Sequence, residues 1–203
     1  YSEDSEAQAR VELLTPIAKA YLSDRGFECA VLAQQVLGGH GYIGEWGLEQ
    51  IVRDARIAQI YEGANGVQAL DLVGRKMLRD GGKMASSMIA EMRASRVPDE
   101  FAAGLEAAIA SLESATQSVL ERSAADPALP GAVSADYLEL FGLTLYGWLW
   151  ARMAEAAPSD QYGENKGHTA RFFFARLLPK HLALNASIQA EASAVMALPA
   201  RAF

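Results

Sequence analysis

Glu62 is a carboxylate that lies between the aromatic ring of Tyr61 and a run of small residues, Gly-Ala-Asn-Gly, at positions 63–66. Glycine lets a backbone approach a ligand closely or adopt positive φ, and asparagine tolerates the same conformation. A carboxylate held in this way can serve as a general base for a substrate that lies against the backbone. The alternative is an acid near the start of the next helix, where the helix dipole favours negative charge.

A second glycine cluster precedes this segment, with Gly38, Gly39 and Gly41 placed around His40. Taken alone, it is typical of a glycine that ends a helix and begins a turn. Alternatively, Gly38 and Gly39 let backbone amides approach a phosphate or a ring system. The cluster is not a Walker motif and lacks the strand-to-helix setting of a dinucleotide fingerprint. His40 is predicted to be a turn residue, and without HxxxH or HExxH spacing we assign no metal.

The composition limits the classes of function that the chain can have. Its 203 residues are 51% hydrophobic, with a formal net charge of −7 and a pI near 5.0. A chain of this size buries a core in one or two domains, and its acidic surface disfavours nucleic acid as a partner. The longest nearly uncharged apolar run, Leu140 to Ala151, is shorter than the roughly 20 residues of a membrane span. It predicts a buried core helix and no membrane span.

Cys29 is the single cysteine of the chain. It cannot form an internal disulfide, so a reducing, cytoplasmic location is the expectation. With no charged partner evident in the sequence, Cys29 is predicted to be a small buried hydrophobe. The chain opens Tyr1-Ser2-Glu3-Asp4, without an initiator methionine or a signal sequence, which predicts a fragment or a processed product.

Apolar residues recur at helical spacing, and no strand alternation is visible, so the predicted fold is all-α. Residues 13–37 form one long helix or two, interrupted early by Pro16. A loop follows at 38–47. The next helix is predicted over 48–60, with Leu48, Ile51, Val52 and Ala55 turned inward. Another helix covers 67–78, with Asp71 and Arg75 paired at i,i+4.

Gly81-Gly82 is the predicted domain boundary, and a second helical bundle follows it. Pro98-Asp99 starts a helix whose apolar residues form one stripe. The stripe consists of Phe101, Leu105, Ile109, Leu112, Thr116 and Val119. Turns are predicted at 126–131 and 158–163. The most apolar helix, with Trp148 and Trp150, is predicted to lie at the bundle centre. Pro179 is expected to kink or break the last helix.

Three motifs together resemble the C-terminal helical domain of the acyl-CoA dehydrogenases. They are Gln35-x-x-Gly38-Gly39-x-Gly41-Tyr42, Arg53-Asp54-Ala55-Arg56-Ile57 and Ile60-Tyr61-Glu62-Gly63-x-Asn65. Their order and spacing match, and a looser resemblance extends over residues 7–79. The continuation is similar to the long-form subgroup with an added C-terminal domain, which includes 3-methylmercaptopropionyl-CoA dehydrogenases. The resemblance implies a C-terminal helical portion at 1–80 and an additional helical domain at 83–203.

This resemblance implies α,β-dehydrogenation of an acyl-CoA thioester with FAD as the acceptor. Glu62 falls at the position of the catalytic base, and Tyr61 and Gly63 fall at positions that lie against the substrate. The positions implied to contact FAD are Gln35, Gly38 and Gly39, from a neighbouring subunit, and the turn Ala64, Asn65 and Gly66. The family usually has threonine at the position of Ala64, so one hydroxyl contact to the cofactor is expected to be missing.

The resemblance also implies that the rest of the pocket lies in domains upstream, so the isolated chain is expected to be inactive. The full-length protein is expected to be a homo-oligomer. Two alternatives stay open. One is a non-catalytic helical oligomerisation or interaction module, and the other is a redirected relative that binds nucleic acid, which the acidic charge disfavours.

Overall fold

The computed structural model describes residues 5–202, in which helices occur without any strand, and this confirms the predicted all-α fold. The first α-helices are α1 (Ser5–Val36), α2 (Gly39–Tyr42), α3 (Leu48–Ile57), α4 (Asn65–Leu70), α5 (Leu78–Asp80) and α6 (Lys83–Ala94). The later ones are α7 (Asp99–Ser123), α8 (Leu129–Glu155), α9 (Gln161–Phe172), α10 (His181–Gln189) and α11 (Ser193–Met196). Within the described range, no helix combines the length and the apolar character that crossing a membrane demands.

Helix α1 is continuous through Pro16, so the first helical segment is one helix and not two. Proline removes a backbone donor and costs about 3 kcal/mol in a helix interior. Burial of one apolar face offsets that cost, because the residues at 13, 16, 17, 20 and 21 recur at helical spacing and are all buried. Beyond Tyr21 only Ala30 of α1 is buried, so the second half of the helix leaves the core.

Helices α7 and α8 form the centre of the core. The whole predicted stripe of α7, from Phe101 to Val119, is buried, and α7 starts at Asp99 directly after Pro98, as predicted. In α8, Trp148 is buried and Trp150 is half-buried, while the hydroxyl group of Tyr137 forms a hydrogen bond of 2.8 Å with Thr116 Oγ1 of α7. The predicted central position of the most apolar helix is therefore confirmed.

The segment between α4 and α5 is a π-helical turn, Asp71–Met77, which keeps the chain helical from Asn65 to Asp80. Its ion pair between Asp71 and Arg75, at 3.3 Å, confirms the predicted i,i+4 pairing. Gly81 and Gly82 then both adopt positive φ, and the Asp80 carboxylate accepts hydrogen bonds from the backbone N–H groups of Gly82 and Met84. Residues on both sides of this turn belong to one hydrophobic cluster, so the division into two domains stays a prediction.

Several predicted boundaries were wrong by about three residues, and one predicted loop contains helical turns. The 38–47 loop contains α2 and a 3₁₀ turn at Gly44–Trp46, and α3 ends at Ile57. The turn at 126–131 ends earlier, because Pro130 lies in the first turn of α8, where a missing N–H costs nothing. The loop at 158–163 ends at Asp160, whose carboxylate caps α9 by accepting from the N–H of Gly163 at 3.0 Å.

The kink or break predicted at Pro179 takes the form of a change in helix type, without a loop. A π-helical turn at Phe173–Leu177 and a 3₁₀ turn at Leu178–Lys180 separate α9 from α10. A 3₁₀ turn accommodates the missing N–H of Pro179 in its first positions. This geometry buries Phe173 and Leu178 against the core while Phe172 stays exposed.

Two predictions of burial were wrong. Cys29 is exposed, because it lies on the half of α1 that extends beyond the core. Ile51 is also exposed, with 53% of its surface accessible, and α3 contains no buried residue at all. Helix α3 packs along α1, but nothing among the described residues covers its remaining apolar surface.

Helix α1 is joined to α8 by a close contact between Tyr21 and Gly142. A Cβ atom added at Gly142 would lie 2.4 Å from the Tyr21 ring. We expect Gly142→Ala to lower the free energy of unfolding by roughly 1–3 kcal/mol through overpacking. Gly131 of the same helix has open space around it, so Gly131→Ala should be neutral or stabilising by at most about 1 kcal/mol. Urea unfolding measures both variants, and equal effects would contradict the packing of α1 on α8.

His181 is a buried histidine at the start of α10, and its Nδ1 lies 2.7 Å from the Ser111 hydroxyl oxygen of α7. Burial lowers the pKa of His181. Its contribution to the unfolding free energy is therefore intact above the unfolded-state pKa of about 6.5. That contribution is lost as pH falls from there through the lowered folded-state pKa, since the unfolded chain binds the proton more tightly.

We expect His181→Gln to flatten the pH dependence of stability between about pH 7 and 5, since no proton-linked loss remains at this position. The measurement is urea unfolding at several pH values. His168 is exposed and is the matched control. If His168→Gln flattened the profile as much as His181→Gln, the buried histidine would not be the cause.

Candidate functional site

The segment from Gln59 to Asn65 is a tight loop that joins α3 to α4. It is closed by a backbone hydrogen bond of 3.1 Å from the Asn65 N–H to the Gln59 carbonyl oxygen. Within it Glu62 has φ 52° and Gly63 has φ 85°. Glu62 is the one non-glycine residue with positive φ in the described range. Such a conformation costs an L-residue about 1–2 kcal/mol, so the surrounding structure must impose it.

The Glu62 side chain is exposed and takes no part in capping the following helix. The N-cap of α4 is Ala64, and among residues 5–202 no side-chain cap is found for the first turn of that helix. In the sequence, an acid at the start of this helix was the alternative to a base. The structure places the carboxylate two residues before the N-cap, in a conformation that a capping residue does not use. The geometry therefore favours presentation of the carboxylate to another molecule.

The backbone around Glu62 combines a paired carbonyl with a free donor. The Glu62 carbonyl oxygen accepts a hydrogen bond of 3.1 Å from Gln68 Nε2, and the Gly63 carbonyl oxygen accepts one of 2.8 Å from Lys19 Nζ. Within residues 5–202, no acceptor is found for the N–H of Glu62. A free N–H on an exposed loop can polarise a carbonyl group of a ligand.

Helix α3 runs antiparallel to the second half of α1 and carries the loop back along it. The Arg56 guanidinium lies over the Phe27 ring at 5.8 Å, and Gln59 Nε2 donates to Asp24 Oδ1 at 2.6 Å. Arg56 also donates to Gln59 Oε1 at 2.9 Å. Among the described residues, no ion pair joins Glu62 to an arginine of α3.

The two predicted glycine sites lie apart on α1. Gln35, Gly38 and Gly39 are at its C-terminal end, whereas the Glu62 loop packs near Asp24. Since an α-helix rises about 1.5 Å per residue, roughly 18 Å of α1 separates the two sites. The structure thus brings Tyr61 and Gly63 to Glu62, as their adjacency in sequence requires, but not Gln35, Gly38 or Gly39.

The first glycine cluster offers an open backbone surface. Gly38 has φ 56°, and added Cβ atoms at Gly38 and Gly39 would meet nothing within 4 Å. Gly41 differs, because its Cβ would lie 2.2 Å from the Gln34 carbonyl oxygen, so it serves the packing of α2 on α1. The Gln35 side chain is exposed. A flat or anionic group could therefore reach the backbone of Gly38 and Gly39 directly.

The predicted turn at positions 64–66 is exposed at Ala64 and Gly66 but engaged at Asn65. The amide nitrogen of Asn65 donates to Asp24 Oδ1 at 2.6 Å, and its Oδ1 accepts from Lys19 Nζ at 2.7 Å. The Asn65 side chain is thus used within the chain, and contact with a cofactor would have to use its backbone. Ala64 offers only a methyl group, as the sequence predicted.

The sequence did not point to Lys19, Ser23 and Asp24 as parts of this site. They lie more than 30 positions upstream, and in the sequence they look like the polar face of an amphipathic helix. The spacing of four residues between Lys19 and Ser23 places these two side chains on one side of α1, and Asp24 follows Ser23 directly; this is the signal that the sequence contains. This spacing alone does not indicate a site, because only the structure shows that the Glu62 loop packs on that side of α1.

Comparison with known proteins identifies two matching family models. The model described as acyl-CoA dehydrogenase, C-terminal domain, matches residues 2–78, and the model described as acetyl-CoA dehydrogenase C-terminal like matches residues 83–199. The junction between them falls at Gly81-Gly82, where the turn between α5 and α6 lies.

Three relatives with known names show how far the similarity extends. A 3-methylmercaptopropionyl-CoA dehydrogenase of Ruegeria pomeroyi is 36% identical over 85% of this chain and 30% of its own length. A broad-specificity linear acyl-CoA dehydrogenase of Mycobacterium tuberculosis is 37% identical over 35% of this chain and 12% of its own. A butyryl-CoA dehydrogenase of Syntrophomonas wolfei is 33% identical over 50% of this chain and 17% of its own length. The chain thus spans less than a third of each relative.

The positive φ of Glu62 can be tested with two variants that both lack the carboxylate. We expect Glu62→Gly to have a free energy of unfolding about 1 kcal/mol higher than Glu62→Ala, because glycine adopts this conformation without strain. Glu45 is the control, since it lies in a 3₁₀ turn without positive φ. There the glycine variant should be the less stable one. An alanine variant of Glu62 at least as stable as the glycine variant would refute the strain.

Proposed function

The chain belongs to the acyl-CoA dehydrogenase family, and on this premise we propose that it is the C-terminal part of a flavin-dependent enzyme that oxidises an acyl-CoA thioester. The reaction would form a double bond between the α and β carbons. The observation that carries the proposal is Glu62, an exposed carboxylate held at φ 52° on a loop with a free backbone donor. That combination suits a base that removes a proton from carbon next to a carbonyl group.

In the proposed step, the Glu62 carboxylate takes the α-proton, and the electrons of that C–H bond form the new α,β double bond. Negative charge develops on the thioester oxygen as the proton leaves, and the N–H of Glu62 can donate to that oxygen. The β-hydrogen leaves with its electron pair. Bound FAD would supply the acceptor for that hydride. The products are an enoyl-CoA thioester, reduced flavin and one proton held by Glu62.

The residues proposed to hold FAD fit such a group in part. Gly38 and Gly39 have an open backbone surface, and Gln35 has an exposed amide beside them. These groups could contact a flat ring or a pyrophosphate, but they do not enclose one. Because they lie roughly 18 Å along α1 from the Glu62 loop, we propose that they serve the cofactor of a neighbouring subunit. Ala64 and Gly66, with the Asn65 backbone, are the proposed contacts to the adenine-nucleotide portion.

The proposal extends to the rest of the enzyme, its oligomeric state and its location. Since the chain covers 30% of the relative from Ruegeria pomeroyi, most of the pocket would be supplied elsewhere, and the 203-residue chain alone would be inactive and would not retain FAD. We propose a homo-oligomeric full-length enzyme without a nucleic-acid partner. A cytoplasmic location is proposed from the single cysteine.

The second candidate function is a non-catalytic interaction module, and the exposed apolar surface favours it. Many large hydrophobic side chains on the second half of α1, on α2, on the following 3₁₀ turn and on α3 are accessible. They include Leu32, Val36, Tyr42, Trp46 and Ile51. A surface of this kind marks a contact with another protein part. Sedimentation of the 203-residue chain tests this second candidate, since a strict monomer at high concentration would count against an assembly role.

The role of Glu62 is tested in the full-length enzyme by Glu62→Gln, which keeps the size of the side chain and removes the base. We expect the rate constant for flavin reduction by an acyl-CoA to fall about 10²–10⁴-fold, the usual range for general base catalysis. Stopped-flow absorbance of the flavin measures it. Glu45→Gln removes another carboxylate outside the Glu62 loop and should leave the rate unchanged. Near-normal flavin reduction in the Glu62→Gln enzyme would refute the assignment.

A further inference from the structure

A cluster of polar side chains lies beneath the Glu62 loop, on the side of α1 that faces it. Lys19, Ser23 and Asp24 come from α1, and Gln59 and Asn65 come from the two ends of the loop. All five are half-buried. The proposed chemistry does not use them, since none belongs to the exposed surface that carries Glu62.

Lys19 makes two hydrogen bonds to the loop itself. Its Nζ donates to the Gly63 carbonyl oxygen at 2.8 Å and to Asn65 Oδ1 at 2.7 Å. Among the described residues, no carboxylate forms an ion pair with this ammonium group. Its partners are neutral oxygens of the loop, and hydrogen bonds from a charged donor are about twice as strong as neutral ones.

Asn65 completes the attachment through both ends of its amide group. Its nitrogen donates to Asp24 Oδ1 at 2.6 Å and to Ser23 Oγ at 2.9 Å, while its oxygen faces Lys19. Asp24 Oδ1 also accepts from Gln59 Nε2 at 2.6 Å. Both ends of the loop are therefore attached to α1 through one carboxylate and one ammonium group.

The hydrogen bond from Lys19 reaches one of the two loop residues with positive φ, Glu62 and Gly63. The carbonyl oxygen held by Lys19 belongs to Gly63, the residue directly after Glu62. If that carbonyl group were released, Glu62 could rotate to an ordinary negative φ and relieve its strain. Rotation of the Glu62 backbone would redirect both its carboxylate and its N–H.

We propose that Lys19 and Asn65 are positioning residues for the base: they hold the Glu62–Gly63 turn in its left-handed conformation and so aim the carboxylate of Glu62. This inference rests on the proposed function of Glu62. It assigns Asn65 to the support of the loop through its side chain, in place of a side-chain contact with the cofactor.

Positioning of a base affects the chemical step more than substrate binding. A displacement of about 1 Å costs up to roughly 10²-fold in rate, while contacts to the rest of a large substrate persist. Loss of the Lys19 contacts should therefore appear in the rate constant at saturating substrate and leave KM almost unchanged.

The test uses Lys19→Met in the full-length enzyme with its flavin, since methionine keeps the apolar stem and removes both hydrogen bonds. We expect the rate constant for flavin reduction at saturating acyl-CoA to fall by about 10–100-fold, with KM changed by less than about threefold. Lys19→Arg retains a charged donor and should recover most of the rate. Lys76→Met is the matched control, because it removes another lysine contact to α1, with Glu12 at 3.5 Å, far from the loop.

Hydrogen exchange provides a second measurement that needs neither flavin nor activity. In Lys19→Met, exchange of the hydrogen-bonded backbone amides within 59–66, such as that of Asn65, should speed up, because the hydrogen bond that closes the loop loses its support. Exchange in α7 should not change. If Lys19→Met weakens flavin retention, this measurement on the apo protein still decides whether Lys19 holds the loop.

The outcomes separate the positioning role from the function on which it rests. A normal rate in Lys19→Met, together with inactivity of Glu62→Gln, would overturn the positioning role and leave the proposed function standing. Unchanged exchange at 59–66 would also overturn it. An active Glu62→Gln enzyme would remove the proposed function, whatever Lys19 does. A loss of rate that Lys19→Arg does not recover, or that Lys76→Met reproduces, would also count against positioning.

Discussion

The contact between the Tyr21 ring and Gly142 is the constraint on which the rest of the molecule depends. It lets α1 approach the most apolar helix, α8, to within the thickness of a ring. Lys19 and Ser23 lie within one turn of Tyr21, so the same contact fixes the polar side of α1 that receives the Glu62 loop. The core and the candidate site are thus coupled through a single helix. A shift of α1 on α8 would move both.

Helix α1 divides into two halves with different physical roles. Its first half buries an apolar face in the core and tolerates Pro16 for that reason. Its second half carries α2 and α3, which contain almost no buried side chain. A helical hairpin with this much exposed apolar surface gains little stability from its own packing. It depends on α1 for its position and, in our proposal, on the rest of a longer enzyme for its cover.

The sequence predicted features that depend on local pattern. The α7 stripe, the start of that helix after Pro98 and the break at Pro179 all follow from helical periodicity or from the missing proline N–H. Two wrong boundaries also had local signals, namely Pro130 in a first turn and Asp160 as a cap. Exposure of Cys29 had no such signal, because amphipathic spacing does not show where a helix leaves the core.

The candidate site also has features with a local sequence signal and features without one. The heptapeptide around Glu62 was visible in sequence, but its positive φ was not, since glutamate rarely adopts that conformation and nothing local demands it. In our proposal that conformation is imposed through Lys19, more than 40 positions away, whose Nζ holds the Gly63 carbonyl oxygen. An acid at the start of a helix would need neither the strained positive φ of Glu62 nor the hydrogen bonds from Lys19 to the loop. Since the loop is attached on its α1 side and exposed on the other, the arrangement is better explained by a carboxylate that must meet a partner from that open side.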